Sequence, residues 1–297
     1  MSHFETPQPI SVVLELRVAD VHVTAGERAD TTVEVRPSDP SRRDDVTAAE
    51  QTRIEYADGS LLVKGPRRLR EWSPFSDGGS IDVDIELPAG SDLSGHAVVG
   101  GIRCAGPLGR CELKTSAGEI KVDQATRVKL TTAGDIRLAR ATGDAELTTA
   151  TGDVRAGEID GAAVIKSANG DIRIDEVGGE LRIKAANGDI EVGRSHDSVV
   201  AKTANGHIRV ASAHRGTLVA ETATGHIEVG IGGGVAAWLD LDTRYGHVHN
   251  GLDATDGPGS ADEQVEVRAR TGFGDITIHR AAARGDELPA GVGRGHE

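Results

Sequence analysis

The sequence predicts an all-β fold: a single-chain parallel β-solenoid (β-helix) with about 18 residues and two strands per coil, more irregular in its N-terminal part. Three observations predict it. The stretch Ala168-Asn169-Gly170-Asp171-Ile172-Arg173-Ile174 returns as Ala186-Asn187-Gly188-Asp189-Ile190-Glu191-Val192 and as Ala204-Asn205-Gly206-His207-Ile208-Arg209-Val210, eighteen residues on each time. Turn glycines continue the series in both directions, at Gly100, Gly118, Gly134, Gly152, Gly170, Gly188, Gly206, Gly225, Gly246 and Gly274. A short fixed period means units that bury their apolar faces only against their neighbours. Finally, aromatic residues make up 2% of the chain, so Ile, Val, Leu, Ala and Thr must fill the interior; these are strand formers of modest volume, suited to a thin β core.

Taken in order, Val12, Leu14, Leu16 and Val18 alternate with Glu15 and Arg17, the pattern of a half-buried strand. Ala19-Asp20-Val21-His22-Val23 is a worn copy of the repeat, so the solenoid is expected to begin near the N-terminus. A strand over residues 32–36 stops at Pro37. Regularity then weakens up to Pro88. Residues 38–50 are polar and charged, residues 53–56 and 61–64 form a hairpin pattern around Asp58-Gly59, and Ile81, Val83, Ile85 and Leu87 alternate again. Between them lies the one basic run of an acidic chain, residues 64–72. Its Lys64, Arg67, Arg68, Arg70 and Trp72 are candidate partner-binding residues, set against the plainer reading of a solvated loop.

From Gly100 onward the repeat resolves into columns. Val154 and Ala156, Ile172 and Ile174, Ile190 and Val192, Ile208 and Val210, and Ile227 and Val229 point inward from one strand. After a second break at Gly143, Gly161, Gly179, Asp197, Gly216 and Gly234, another strand sends in Ala163 and Ile165, Leu181 and Ile183, Val199 and Ala201, and Leu218 and Ala220. Residues between these point outward: Arg155, Arg173, Glu191, Arg209 and Glu228 on one face, Lys166, Lys184, Lys202 and Glu221 on the other. Parallel pairing between coils stacks like residues about 4.8 Å apart, so Asn169, Asn187 and Asn205 should form a ladder, with Asn-Gly supplying the positive φ angles of a tight turn. Residues 250–264 are an inserted loop, and Thr271, Gly274, Ile276 and Ile278 complete a last coil. The organisation is thus an irregular β part over 1–97 continuous with the solenoid, a regular solenoid over 98–280, and a disordered tail over 281–297.

A formal net charge of -14 disfavours general affinity for nucleic acid or anionic membrane. Residues 1–7 carry no basic region followed by an apolar run, and no apolar run reaches the length of a membrane span, so a cytoplasmic location is expected. Cys104 and Cys111, the two cysteines, fall on inward positions and are expected to be small core residues.

The opening strand with Ala19-Asp20-Val21, the Leu87-Pro88 step and the Gly-Asp-Ile turns through Gly274 resemble the bacterial domain-of-unknown-function family labelled "putative adhesin", over nearly the whole chain. The resemblance implies a β-solenoid and, from the label, a surface role. Its motif is structural and brings no catalytic residues.

After the turn glycine, Asp135, Asp153, Asp171 and Asp189 give way to His207, His226 and His247. Stacked in register these three are the candidate metal ligands, with His249 and His214 nearby, although a linear ladder offers a metal two ligands at best and polar residues suit turns anyway. One Asp per turn is thin for calcium. An enzyme of the polysaccharide-acting β-helix kind would need paired carboxylates and aromatic platforms; Trp238, Tyr245 and Phe273 are equally explained as turn cover. No cofactor is expected. The expected function is a non-catalytic scaffold or protein-interaction protein with an unknown protein partner, monomeric rather than filamentous because both ends have segments able to cover them. The alternative is an acidic polyanion mimic that binds a nucleic-acid-handling protein.

Overall fold

Alternation of apolar and polar residues along a strand sends successive side chains to opposite faces. The computed structural model describes residues 1–66, 79–253 and 263–281. In it Val154, Ile172, Ile190, Ile208 and Ile227 are at most 1% exposed on one strand of the coil, as are Leu181, Ile183, Val199, Ala201, Leu218 and Ala220 on the other. Arg155, Arg173, Arg209, Lys166 and Lys184 are exposed, as the columns require. Each coil contributes two strands, for example Ile172–Val177 and Leu181–Asn187, and each pairs in parallel with its counterpart one coil on. The first face stacks Ile136–Ala141, Val154–Ile159, Ile172–Val177, Ile190–Ser195, Ile208–Ala213 and Ile227–Ile231. The second stacks Ala145–Thr149, Ala163–Asn169, Leu181–Asn187, Val199–Asn205 and Gly216–Thr224. The predicted parallel solenoid with two strands per coil is the fold.

The turns differ from the two-residue hairpin type expected of Asn-Gly. Among the described residues Asp58 alone has a positive φ without being glycine, so Asn169, Asn187 and Asn205 do not carry one. Gly170, Gly188 and Gly206 do, at 130°, 125° and 146°. A Cβ on Gly188 would also lie 2.2 Å from the Gly170 carbonyl oxygen. Glycine is therefore needed both for its backbone angle and for the close approach of successive coils. The asparagine ladder forms as expected: Nδ2 of Asn187 donates to Oδ1 of Asn169, and Nδ2 of Asn205 to Oδ1 of Asn187, each at 2.9 Å.

At both ends the order in space departs from the order in the chain. Ser11–Glu15 lies between Ser60–Lys64 and Asp92–Val99, and Ala19–Gly26 between Ile81–Pro88 and Ile102–Ala117, so the first coil of the chain is second in space. Likewise Gln264–Phe273 lies between Gly216–Thr224 and Ala236–Tyr245, and Ile276–Arg280 between Ile227–Ile231 and Val248–Asn250. The final coil has entered the stack one place before the coil that precedes it in sequence.

Antiparallel strands cover the N-terminal end. Arg53–Ala57 pairs with Ser60–Lys64 in the predicted hairpin, whose turn has φ of 49° at Asp58 and 74° at Gly59. Asp30–Pro37 pairs with Ile81–Pro88, and Ser2–Glu5 with Asp30–Pro37. The polar stretch before the hairpin holds a helix that the sequence reading missed, Arg43–Gln51. Only Asp45 and Ala48 of it are buried, too few for a helical stripe to be read. Asp45 anchors it by accepting the backbone N–H groups of Asp39 (3.2 Å) and Ser80 (3.0 Å).

Candidate functional site

A turn that leaves the strand ladder strands a backbone N–H, which needs another acceptor. Along the glycine edge the residue after the turn glycine supplies one from Gly134 to Gly225 and again at Gly274. Asp135 Oδ1 accepts the N–H of Asp153 (3.0 Å), Asp153 that of Asp171 (3.0 Å), Asp171 that of Asp189 (2.9 Å) and Asp189 that of His207 (2.7 Å). Nδ1 of His207 then accepts from His226 (2.9 Å), Nδ1 of His226 from Asp275 (2.9 Å), and Oδ1 of Asp275 from His247 (2.8 Å). The Asp and His of this edge, which the columns leave free to vary, are parts of the frame. In His207 and His226 the accepting Nδ1 places the ring proton on Nε2.

The three histidines of the expected metal row are not consecutive rungs of one ladder. His207 and His226 do stack, with ring centroids 5.1 Å apart and planes at 5°. His247 is not their next rung: Asp275 of the intercalated coil stands between, 3.8 Å from His226 and 3.6 Å from His247. The N–H of His247 chiefly holds the Asp275 carboxyl below the usual carboxylate range against its partial desolvation. His249 lies beside His247, with ring centroids 6.1 Å apart, but His214 sits on the opposite edge of the coil. Among the described residues no group of three or more His, Cys, Asp and Glu is placed to hold a metal ion.

On that opposite edge Glu176 gathers its neighbours one coil on. Its Oε1 lies 2.8 Å from Nε2 of His196, its Oε2 accepts from Arg194 at 2.6 and 3.1 Å, and the rings of His196 and His214 are 5.3 Å apart. The bond to His196, then that to Arg194, depresses the Glu176 pKa below the ordinary carboxylate value, with desolvation opposing. A depressed carboxylate contributes stability above its unfolded pKa and loses it as pH falls through the folded one. Glu176→Gln should therefore lower the melting temperature by about 2 °C at pH 7. The gap between wild type and variant should close in thermal scans taken below the ordinary carboxylate range; a gap that persists there would refute the pairing. These residues were legible in principle, since Glu176 plus one eighteen-residue step is Arg194 and His196 plus one step is His214.

The first face carries a long run of positive charge, beside the acidic row of Glu119, Asp135, Asp153, Asp171 and Asp189. Arg103 lies opposite Lys121, Lys121 opposite Arg137, Arg137 opposite Arg155, and Arg155 opposite Arg173. Five cations thus stand in line over roughly 19 Å, four strand steps. Beside them Ala139 and Gly157 floor a shallow groove lined by Lys121, Arg137, Arg155 and Arg173. Arg103 reaches Glu119 at 4.0 Å, Arg137 pairs with Glu119 and with Asp135 at 3.7 Å, Arg155 with Asp153 at 3.1 Å, and Arg173 with Glu191. Lys121 makes no ion pair among the described residues. Sequence columns picked out Arg155 and Arg173 but missed the other three. Ile120 pairs with Ile136, a coil of sixteen residues, and the eighteen-residue count slips there.

Of the candidate basic loop, Lys64 pairs with Glu15 beside Arg17 and His96, while Arg67, Arg68, Arg70 and Trp72 lie outside the described residues. Cys104 and Cys111 are free and buried, as expected. The hydrogen bond of the Cys104 thiol with Cys111, then burial, pushes the Cys104 thiol well up, which makes it a poor nucleophile.

No curated protein matches the chain. Among solved structures it is similar to a protein of Bacteroides fragilis described as a "putative adhesin", at 11% identity over 93% of this chain and 95% of that one, with a TM-score of 0.38. It is also similar to one of Parabacteroides distasonis described as a "putative lipid binding protein", at 12% identity over 95% and 96%, with a TM-score of 0.36. Residues 11–281, which span the solenoid and its N-terminal cover, match the family described as Toastrack DUF4097, and the chain belongs to that family.

Proposed function

We propose that the chain is a non-catalytic, adhesin-like scaffold that binds a protein partner along its first face, with Arg103, Lys121, Arg137, Arg155 and Arg173 reading an acidic segment of that partner. The observation that carries this reading is the in-line register of five cations on a protein of net charge -14. Their guanidinium groups are exposed and pair mostly with exposed carboxylates, so carboxylates of a partner can compete with the intramolecular ones. The remaining reactive groups support a structural role. The Asp and His of the glycine edge accept backbone N–H groups, Glu176 is engaged by Arg194 and His196, and both thiols are buried.

Fluorescence anisotropy with a labelled poly-glutamate peptide tests it. Wild type should bind with an affinity that falls as salt rises, and Arg137→Glu/Arg155→Glu should weaken binding by about tenfold. Lys166→Glu/Lys184→Glu, on the second face, should leave it unchanged. Equal losses from both faces would mean that net charge, not the row, governs binding.

A further inference from the structure

The two ends of the stack are finished differently. At the N-terminal end antiparallel strands cover the outer coil. At the other end Ala236–Tyr245 pairs only with Gln264–Phe273, and Val248–Asn250 only with Ile276–Arg280, among the described residues. A strand with an open edge is a template for another strand. The same end carries four of the seven exposed large apolar side chains among the described residues: Trp238 is 75% exposed, Tyr245 62%, Phe273 56% and Val248 44%. Tyr245 stacks on Phe273, ring centroids 4.8 Å apart, so the face of its ring away from Phe273 has no aromatic neighbour. Leu239 and Leu241 are half-buried, whereas Val267 and Ala269, their neighbours one strand in, are fully buried. Exposed apolar clusters of this kind mark interfaces.

We infer that this end is a homodimer interface, at which two copies of the chain join their Ala236–Tyr245 strands antiparallel about a two-fold axis. The charges of the strand select this occupant. Asp240 is paired with Arg270 at 3.4 Å, but Asp242 and Arg244 are exposed and make no ion pair among the described residues. With Thr243 opposite itself on the axis, Asp242 of each copy faces Arg244 of the other, and Leu241 faces Tyr245. One unpaired acid and one unpaired base two residues apart are self-complementary in that register, and opposite charges directly across an antiparallel pair attract. The outermost N-terminal strands, Ser2–Glu5 and Arg53–Ala57, also have one unpaired edge among the described residues, so it is the match of Asp242 with Arg244 that selects like ends, and a two-fold contact between like ends closes the assembly at two.

Sedimentation velocity on the full chain over a dilution series tests this. Wild type should sediment at twice the chain mass. Asp242→Arg alone and Arg244→Asp alone each set like charges across the axis twice and should weaken association by at least about tenfold. Mixing the two single variants should restore the dimer, because each then presents the opposite pair to the other, and the double variant Asp242→Arg/Arg244→Asp should dimerise alone. Circular dichroism and melting of each single variant verify that it folds. A monomeric wild type at high concentration, polymers that grow with concentration, or a dimer indifferent to either single reversal would each overturn the inference.

Discussion

Ile172→Asp should destabilise the protein by roughly 3–5 kcal/mol, the range for an uncompensated charge left in a protein interior. Ile172 is 1% exposed, and its neighbours in the stack are Val154 and Ile190, neither of which can donate a hydrogen bond from its side chain. The facing sheet closes the core with Ile165, Leu181 and Ile183, all fully buried. Because each coil is held by its neighbours, the damage should spread along the stack rather than stay in one strand. Arg173→Asp, one residue on, removes an exposed partner of Glu191 and should change stability by only a small fraction of that amount. Urea denaturation followed by circular dichroism reads both. Similar midpoints for the two variants would mean that the assignment of inward and outward columns is wrong.

Gly188→Ala should be nearly as damaging for a different reason, costing about 3 kcal/mol. The backbone at Gly188 has φ of 125°, a region closed to side chains, and the added methyl would meet the Gly170 carbonyl oxygen at 2.2 Å. Neither the turn nor the coil spacing can relax without breaking the acceptor chain Asp171–Asp189–His207 and the Asn169–Asn187–Asn205 ladder beside it. Gly233→Ala is the control, since a Cβ there meets nothing within 4 Å and the residue has no positive φ. It should leave the denaturation midpoint within error of wild type. An equal loss at both positions would remove the steric account.

Much of the fold was legible because its causes are local. A period of two assigns a face to each residue, as at Ile172 and Arg173, and a turn glycine recurring mostly at eighteen-residue steps marks where coils end. The hairpin around Asp58-Gly59 could be read for the same reason: its turn chemistry lies within four residues. The helix Arg43–Gln51 could not, because it buries only Asp45 and Ala48 and leaves no apolar stripe. The candidate sites were half-legible. Arg137, Arg155 and Arg173 stand one eighteen-residue step apart in the chain, but Lys121, and Arg103 behind it, join their row only through a short coil. His207 and His226 are neighbours in both sequence and space, and His247 is a neighbour in sequence alone.

What the sequence by itself determined is the unit: two strands, a glycine turn, an aliphatic interior and outward rows of charge. What only the tertiary structure decided is the order in which units stack at the ends, and with it the intercalation of Asp275 between two histidines and the open edge at Ala236–Tyr245. The physical reason is degeneracy. Every copy of the repeat offers the same inward columns and the same turn, so a coil fits equally well by its own pattern in either of two neighbouring places. The choice falls to contacts between residues far apart in the chain.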